Sequence, residues 1–243
     1  MRKLLFISLL SSSFFISSEE TISRWMSDYF KRIHDHIGNE NYEKAQYELE
    51  MGNNNYFRNG RTYEAALLYQ LYGQFYAVQS QYTEAVPWFE KALATEKMPR
   101  IGAQEVRFQL AQTYFMIGKY ENVIALLDEF IRVGERYKYP VSARVNLLMS
   151  YSHGRLEQYE PSYFHIKQAN NKSDKPQLDW IEYAFSLAMK LEKLDDAEDL
   201  GTRLLFLEPN KKKYWNQVSA LYFAKEFEVD SLSALELAYE NDT

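Results

Sequence analysis

Histidines and clustered carboxylates are the residues of this chain that could bind a metal ion or transfer protons. The histidines are His34, His36, His153 and His165. His34 and His36 are two residues apart, a spacing that places them on different faces of a helix and does not suit a shared metal ion. We therefore expect the histidines to lie at the surface or to pack between helices.

One run of carboxylates, Asp195, Asp196, Glu198 and Asp199, has the composition of a calcium site. It lacks the alternating ligand order and the central glycine that a calcium loop requires. Acidic residues are also favoured at the start of a helix, because the helix dipole places partial positive charge there. We interpret the run as the first turn of a helix.

Motifs of the common enzyme classes are absent from the sequence. The chain has no glycine-rich phosphate loop, no HExxH and no GxSxG. It also has no cysteine, which excludes disulfides, thiolate zinc sites and a cysteine nucleophile. The sequence therefore predicts a protein without catalytic activity, cofactor or metal.

The composition is that of a folded, acidic protein. Hydrophobic residues make up 46% of the 243 residues and charged residues 26%, and the formal net charge is −6. An acidic protein is a poor ligand for nucleic acid or for an anionic membrane surface. The single basic run, Lys211 to Lys213, is interpreted as solvated. We expect no nucleic-acid partner.

The first residues, MRKLLFISLLSSSFFISSEE, have the layout of a secretory signal peptide. Arg2 and Lys3 are followed by an uncharged run from Leu4 to Ile16, which is too short to span a membrane. We predict a signal at residues 1–18, export to the periplasm and no stable membrane insertion after cleavage. An uncleaved anchor and a first helix are the alternatives. Cleavage would move the net charge from −6 to −8.

A short pattern recurs along the chain. In YTEAVPWFEKAL, residues 82–93, rings and alanines alternate at Tyr82, Ala85, Phe89 and Ala92, spacings that share one face of a helix. Similar stretches follow at intervals of 34 to 40 residues, and each has a small or β-branched marker residue in the place of Ala85. The markers are Ala45, Ala85, Val123, Ser162, Ala197 and Ser231. Self-similarity at this period predicts stacked structural repeats.

A second helical pattern precedes the marker in most repeats, so each repeat is predicted to be two antiparallel helices joined by a short turn. Small residues at Gly73, Ala111 and Ser219 would let the two backbones approach. The alanines would admit the partner helix, and Tyr82 and Phe89 would pack beside it and against the next repeat.

The pattern resembles the tetratricopeptide repeat (TPR), in which aromatic or apolar, small and aromatic positions are followed by Ala, aromatic, Ala and Pro. Matching positions in one repeat are Tyr69, Tyr72, Gly73, Tyr76, Tyr82, Ala85, Phe89 and Ala92. Pro209 stands where the closing Pro belongs. The resemblance implies an all-α fold, a right-handed α-solenoid of about six helix pairs within residues 19–243. The predicted units are near 26–59, 66–98, 104–136, 143–172, 178–211 and 212–243.

Some positions depart from this repeat. Tyr151 and Tyr159 are two residues further apart than usual, which predicts a longer turn or a shifted register in the fourth unit. With Thr83 as the helix cap, Pro87 would cost a hydrogen bond, so the cap lies later or the helix start is distorted. The stretch GNNNYFRNGR, residues 52–61, is predicted to be a linker. Pro99, Pro140, Pro176 and Pro209 are predicted to precede the first helix of a unit, and Pro161 to lie in the first turn of a second helix.

In the TPR frame, the first helix of each unit lines the concave face, where partners bind. Carried over position by position, the resemblance implies partner-binding roles for Gln70, Gln74, Glu105, Phe108, Gln112, Phe115, Arg144, Tyr151, Glu182, Asn216 and Phe223. Rings would anchor an extended or helical peptide, and amides would bond its backbone. The alternative is that the rings only pack within the array.

A finer resemblance lies near the end of the sequence. The segment from Trp180 through LGTRLLFLEPNKKKYWNQVSALYF to LELAY is similar to periplasmic TPR proteins encoded beside TonB–ExbB–ExbD systems of Gram-negative bacteria. The residues that carry it are Trp180, Leu204, Leu207, Pro209, Lys211, Tyr214, Trp215, Gln217, Leu235, Leu237, Ala238 and Tyr239. This resemblance implies a non-catalytic accessory of TonB-dependent transport. Those relatives are longer than this chain.

Two other functions stay open on the sequence alone. One is a scaffold for cell-envelope assembly, in cell-wall synthesis, division or outer-membrane biogenesis. The other is an enzyme or a binder of a soluble ligand in the concave groove, which would need a convergent polar cluster that the sequence does not show. The last predicted helix, Asp230 to Tyr239, is apolar on both sides, so self-association through this helix is expected.

Overall fold

The computed structural model describes residues 22–55, 62–173, 175 and 177–240, and the regular secondary structure of these ranges is helical throughout. The helices are α1 (Arg24–Gly38), α2 (Tyr42–Asn55), α3 (Tyr63–Val78), α4 (Tyr82–Ala94), α5 (Arg100–Met116), α6 (Tyr120–Tyr137), α7 (Ala143–Arg155), α8 (Tyr159–Asn171), α9 (Leu178–Lys190), α10 (Leu194–Leu207), α11 (Lys212–Ala224) and α12 (Glu228–Glu240). They form six consecutive pairs, which confirms the predicted all-α class. The predicted signal peptide, residues 1–18, lies outside the described ranges.

Within the described residues, the two helices of every pair are joined by a three-residue turn with the same backbone geometry. The middle residue of each turn is left-handed, and these residues are Glu40, Ser80, Gly118, Glu157, Glu192 and Glu226. The next N–H then bonds to the carbonyl oxygen five residues earlier, as from Gln81 to Tyr76 at 2.9 Å. This is the Schellman arrangement, which satisfies carbonyl groups at the end of the first helix.

The fourth pair has this same turn, so of the two alternatives predicted there, a longer turn or a shifted register, the longer turn is wrong. The amide of Gln158 bonds to the carbonyl of His153 at 2.9 Å, just as Gln81 bonds to Tyr76. His153 therefore occupies the position of Tyr76, and Tyr151 lies two residues before it. The sequence spacing is unusual because an imidazole replaces the expected ring.

Small residues in the seam between paired helices explain the recurring pattern. All six markers are buried: Ala45, Ala85, Val123, Ser162, Ala197 and Ser231. The ring of Phe89 is fully buried and lies against Gly73 of α3, where an added Cβ would meet ring atoms at 2.6 Å. A ring on the second helix thus packs onto a glycine of the first helix of its own pair.

Prolines lie at helix starts with one exception. Pro99 is the N-cap of α5, Pro140 and Pro209 precede α7 and α11, and Pro161 lies in the first turn of α8. Pro176 lies outside the described residues. The exception is Pro87, which lies inside α4.

The predicted cap of α4 is wrong, because the helix begins at Tyr82 and its N-cap is Gln81, not Thr83. Pro87 therefore lies two residues deeper in the helix than expected. Its missing N–H removes the helical bond to the carbonyl of Thr83. The helix continues because Ala85, Phe89 and Ala92 on its inner face are fully buried.

The linker predicted from Gly52 begins too early, since α2 continues to Asn55. Gly52 is buried, and a Cβ added there would meet the Tyr29 hydroxyl oxygen at 2.6 Å. This glycine therefore permits a close helix contact and does not end the helix. Residues 56–61 of the predicted linker lie outside the described ranges.

The chain divides into two compact units, unit 1 up to Tyr139 and unit 2 from Pro140. In each unit, every helix packs against the next helix in chain order. The core of unit 1 includes Phe30, Ile33 and Leu68, and the core of unit 2 includes Ile166, Ile181 and Leu221. No helix of the described ranges combines the length and the apolar character that crossing a membrane requires.

Candidate partner-binding surface

The predicted partner-binding residues all lie on the first helices of pairs. In unit 1, α3 carries Gln70 and Gln74, and α5 carries Glu105, Phe108, Gln112 and Phe115. In unit 2, α7 carries Arg144 and Tyr151, α9 carries Glu182, and α11 carries Asn216 and Phe223. Each unit is described below by itself.

A pair of buried amides joins α3 to α5 in unit 1. Gln70 Nε2 donates to Gln109 Oε1 at 3.2 Å, and the two side chains are 9% and 3% exposed. A buried amide is costly unless it is hydrogen-bonded, and this bond satisfies one donor of Gln70 and the acceptor oxygen of Gln109. Gln70 is therefore committed to packing between helices in this conformation, and its binding role stays a prediction.

Gln74 lies one helical turn after Gln70 and differs from it in one respect. Its side chain is 3% exposed, and its amide makes no hydrogen bond to any other residue in the described ranges. Its amide is not among the fully buried unpaired side-chain atoms of the described ranges, so it keeps contact with solvent. Gln112 holds the equivalent position on α5, two residues before the residue that accepts the turn bond, and it is also 3% exposed. The Gln74 amide is therefore available for a hydrogen bond to a ligand.

Aromatic rings accompany these amides. Phe108 and Phe115 are half-buried, and their ring centroids lie 6.3 Å from Phe130 and 5.4 Å from Tyr120, both on α6. The rings thus pack inside unit 1 and still keep part of their surface open. Glu105 is also half-buried.

The sequence prediction did not include two further glutamines of α5 that are buried and hydrogen-bonded. Gln109 is the partner of Gln70, and Gln104 donates to the Phe130 carbonyl oxygen at 2.8 Å and accepts from Arg107 at 2.7 Å. Both are buried. The signal in the sequence was the density of glutamines on two otherwise apolar helices, which the repeat frame alone did not weigh.

In unit 2, the predicted binding residues form an ion pair or a ring contact, or are exposed to solvent. Glu182 forms an ion pair with Lys213 and lies 3.4 Å from the Tyr214 hydroxyl oxygen. The Tyr151 ring lies 5.1 Å from that of Tyr183, and burial raises the pKa of Tyr151 to about 12. Arg144 and Asn216 are exposed, and Phe223 is 71% exposed.

Two of the histidines form a stacked pair in unit 2. The rings of His153 and His165 are 5.6 Å apart and almost parallel. His153 Nδ1 lies 2.7 Å from Gln158 Oε1, and His165 Nδ1 lies 3.2 Å from Asn146 Oδ1. Burial lowers the pKa of His165 to about 4, and His153 and Lys172 add to the effect. These histidines pack between α7 and α8, as predicted.

The predicted acidic run lies where the helix dipole favours it, with Asp195 and Asp196 in the first turn of α10. Asp195 and Glu198 form ion pairs with Lys225, and Asp196 forms one with Lys167. Within the described ranges, no group of three or more acidic or histidine side chains is arranged to hold a metal ion.

A surface cavity of about 320 Å³ between α1 and α2 was not predicted from the sequence. Its lining residues are Trp25, Asp28, Tyr29, Arg32, Tyr47, Glu48 and Met51. Arg32 Nε lies 3.5 Å from Glu48 Oε1, and its guanidinium lies 5.5 Å from the Tyr29 ring centroid. The sequence signal was the spacing of Trp25, Tyr29 and Arg32 on one helical face.

Comparison with known proteins places the fold. The sequence matches no protein-family model and no curated protein. Among solved structures, YrrB, described as a TPR protein, has a TM-score of 0.61 and 14% identity over 73% of this chain and 86% of its own. A MamA protein has a TM-score of 0.60 and 14% identity over 73% of this chain and 91% of its own. The pilF protein of Pseudomonas aeruginosa has a TM-score of 0.58 and 14% identity over 88% of this chain and 91% of its own.

At these identities the likeness concerns the fold and not the activity. It agrees with the paired helices, the common turn and the buried small residues described above. The six helix pairs of this chain therefore have a TPR-like fold.

Proposed function

We propose that this chain is a non-catalytic module that binds a peptide segment of a partner protein along α3 and α5. The observation that carries the proposal is the Gln74 amide, whose side chain is 3% exposed, makes no hydrogen bond within the described ranges and still reaches solvent. An amide can donate to and accept from a peptide backbone at once. The half-buried rings of Phe108 and Phe115 supply apolar surface for its side chains.

Two further observations support this proposal. YrrB, one of the structural neighbours, is described as having an unusual peptide-binding site. In this chain, histidines and carboxylates that could act as catalytic groups are instead held in contacts between helices. His153 and His165 are stacked and bonded to amides, and Asp195 and Glu198 form ion pairs with Lys225.

Site-specific photocrosslinking in intact cells tests the binding site. A photoreactive phenylalanine analogue at Phe115 should give a defined crosslinked partner, and the Gln74→Ala variant should lower the yield. Phe206, which is 85% exposed on α10, is the matched control position. Gln46→Ala, an exposed glutamine bonded to Glu50, is the control for the loss of an amide. The same products at Phe115 and Phe206, or a yield unaffected by Gln74→Ala, would contradict the proposal.

We also propose that the chain is exported to the periplasm and assists TonB-dependent transport. The layout of residues 1–18 and the resemblance that begins at Trp180 support this proposal. In the structure, two residues of that resemblance are joined, since Trp215 Nε1 donates to the Pro209 carbonyl oxygen at 2.7 Å.

Fractionation and uptake measurements test the location and the pathway. We expect the protein in the periplasmic fraction with a mass that lacks the signal, and slower TonB-dependent iron uptake in a deletion strain. A cytoplasmic protein of full mass would overturn the export proposal. Unchanged uptake would overturn the role in transport and leave the binding site to be judged by crosslinking.

A further inference from the structure

The last described helix, α12, is apolar on the side that does not face its partner. Its buried residues, Ser231, Ala234 and Ala238, are all small. Each is followed directly by a large apolar residue, and these are Leu232, Leu235 and Tyr239, which are 62%, 46% and 79% exposed. Successive residues of a helix are about 100° apart, so the large residues form a second face turned by that angle from the packed one.

This second face has the spacing of a helix-docking stripe. Leu232, Leu235 and Tyr239 are three and four residues apart and lie above one another along the helix. A soluble helix normally turns its large apolar residues inward, and a continuous exposed set marks an interaction surface.

The charges on α12 indicate which partner would fit. The helix carries Glu228, Asp230, Glu236 and Glu240 and has no lysine, arginine or histidine. Lys225, in the turn before it, is bound to Asp195 and Glu198 of α10. Its charge is therefore already paired with carboxylates of α10.

We propose that α12 is a docking surface for a basic amphipathic helix of another protein. The apolar face of that helix would cover Leu232, Leu235 and Tyr239, and lysines or arginines at its margins would pair with the carboxylates of α12. This surface belongs to unit 2 and Gln74 to unit 1, and the inference does not depend on the proposed function.

A second copy of the chain is the competing occupant, as expected from the sequence. Two α12 helices packed through this face would bring Glu228 and Glu236 of one copy close to the same residues of the other, with no cation on either helix. Like charges at close range oppose association. Charge therefore favours a basic partner over self-association.

Binding of two synthetic peptides to the full chain tests the proposal. The first peptide has 18 residues of leucine, alanine and lysine, with leucines on one helical face and lysines on both margins. The second has glutamates in place of the lysines. Fluorescence anisotropy should show at least about tenfold tighter binding of the basic peptide, and its affinity should fall with salt.

Substitutions on α12 test whether the basic peptide binds at this helix. Leu232→Ser with Leu235→Ser, or Glu228→Lys with Glu236→Lys, should weaken binding of the basic peptide about tenfold or more. Phe206→Ser, the loss of an exposed apolar side chain on α10, should leave it unchanged. Circular dichroism shows whether each variant keeps its helices.

The result that overturns the proposal is equal binding of both peptides, or binding that the α12 variants do not change. Light scattering of the free protein provides a further check. A dimer that Leu232→Ser with Leu235→Ser dissociates would assign the surface to a second copy and would also overturn it.

Discussion

Ser150 and Ser162 bond each other reciprocally across the seam between α7 and α8. Ser150 Oγ donates to the Ser162 carbonyl oxygen at 2.7 Å, and Ser162 Oγ donates to the Ser150 carbonyl oxygen at 2.8 Å. The Tyr183 hydroxyl oxygen lies 3.0 Å from Ser162 Oγ and links the pair to α9. Two positions that are small and apolar in several other pairs thus carry a buried network of hydroxyl groups here, and Ser219 and Ser231 of the sixth pair lie 3.1 Å apart in the same way.

Replacing these serines should show non-additive effects on stability. Ser150→Ala and Ser162→Ala should each lower the free energy of unfolding by about 1 kcal/mol, because a buried partner loses its bond. The double variant should cost less than the sum, since both hydroxyl groups are gone. Urea unfolding followed by circular dichroism measures this. The exposed Ser233→Ala is the control, and strictly additive effects would refute the network.

Gly73 and Gly102 are both helical and should respond oppositely to alanine. At Gly73 the added Cβ would lie 2.6 Å from the buried Phe89 ring, so Gly73→Ala should destabilise the protein by about 1–3 kcal/mol. At Gly102 nothing lies within 4 Å, so Gly102→Ala should stabilise it by up to about 1 kcal/mol. Thermal unfolding of both variants provides the measurement. Shifts of the same sign would show that the close contact at Gly73 is not tight.

The left-handed turn residues predict a stabilising change. Glu157 has a φ of 60° and Gly118, at the equivalent position, has a φ of 77°. A side chain costs about 1 kcal/mol in this conformation, so Glu157→Gly should raise the melting temperature and Gly118→Ala should lower it. Glu157→Ala is the control that removes the charge but keeps the Cβ. A gain in that control equal to the gain with glycine would assign the effect to charge.

The stability of unit 2 should depend on pH through His165. Burial, together with His153 and Lys172, lowers the pKa of His165 from 6.5 to about 4. Between these values the unfolded chain binds a proton that the folded chain does not, so stability falls as the pH falls from 6.5 to 4. Above pH 6.5 both states are neutral and this contribution is constant.

Melting temperatures at pH 7.5 and pH 4.5 measure this effect. The decrease should be smaller in His165→Gln than in the parent protein, while His36→Gln on α1 serves as the control for the loss of one histidine. An identical decrease in the parent protein and in His165→Gln would show that the stacked pair does not control it.

The repeat could be read from the sequence because one physical rule recurs in every pair. Paired helices approach closely only where small side chains line the seam, so Ala85 and Ser162 recur near a fixed period. The longer turn that was one alternative before Tyr159 is wrong, because side-chain spacing does not set the length of the turn. The turn is set by backbone hydrogen bonds, which an imidazole at His153 leaves unchanged.

The candidate site could be predicted from the sequence only in part. The repeat frame placed Gln70 and Gln74 on the same helix face, one turn apart, and treated them alike. Which of the two amides is bonded depends on the residue that the neighbouring helix α5 places opposite each, and Gln109 lies opposite Gln70.

The sequence by itself determined the all-helical class and the pairing of helices, because spacing of small and large residues sets which faces can be buried. Only the tertiary structure decided which polar side chains satisfy one another, and which large residues of α12 stay exposed. Those outcomes depend on contacts between helices distant in sequence, and no local pattern specifies such contacts.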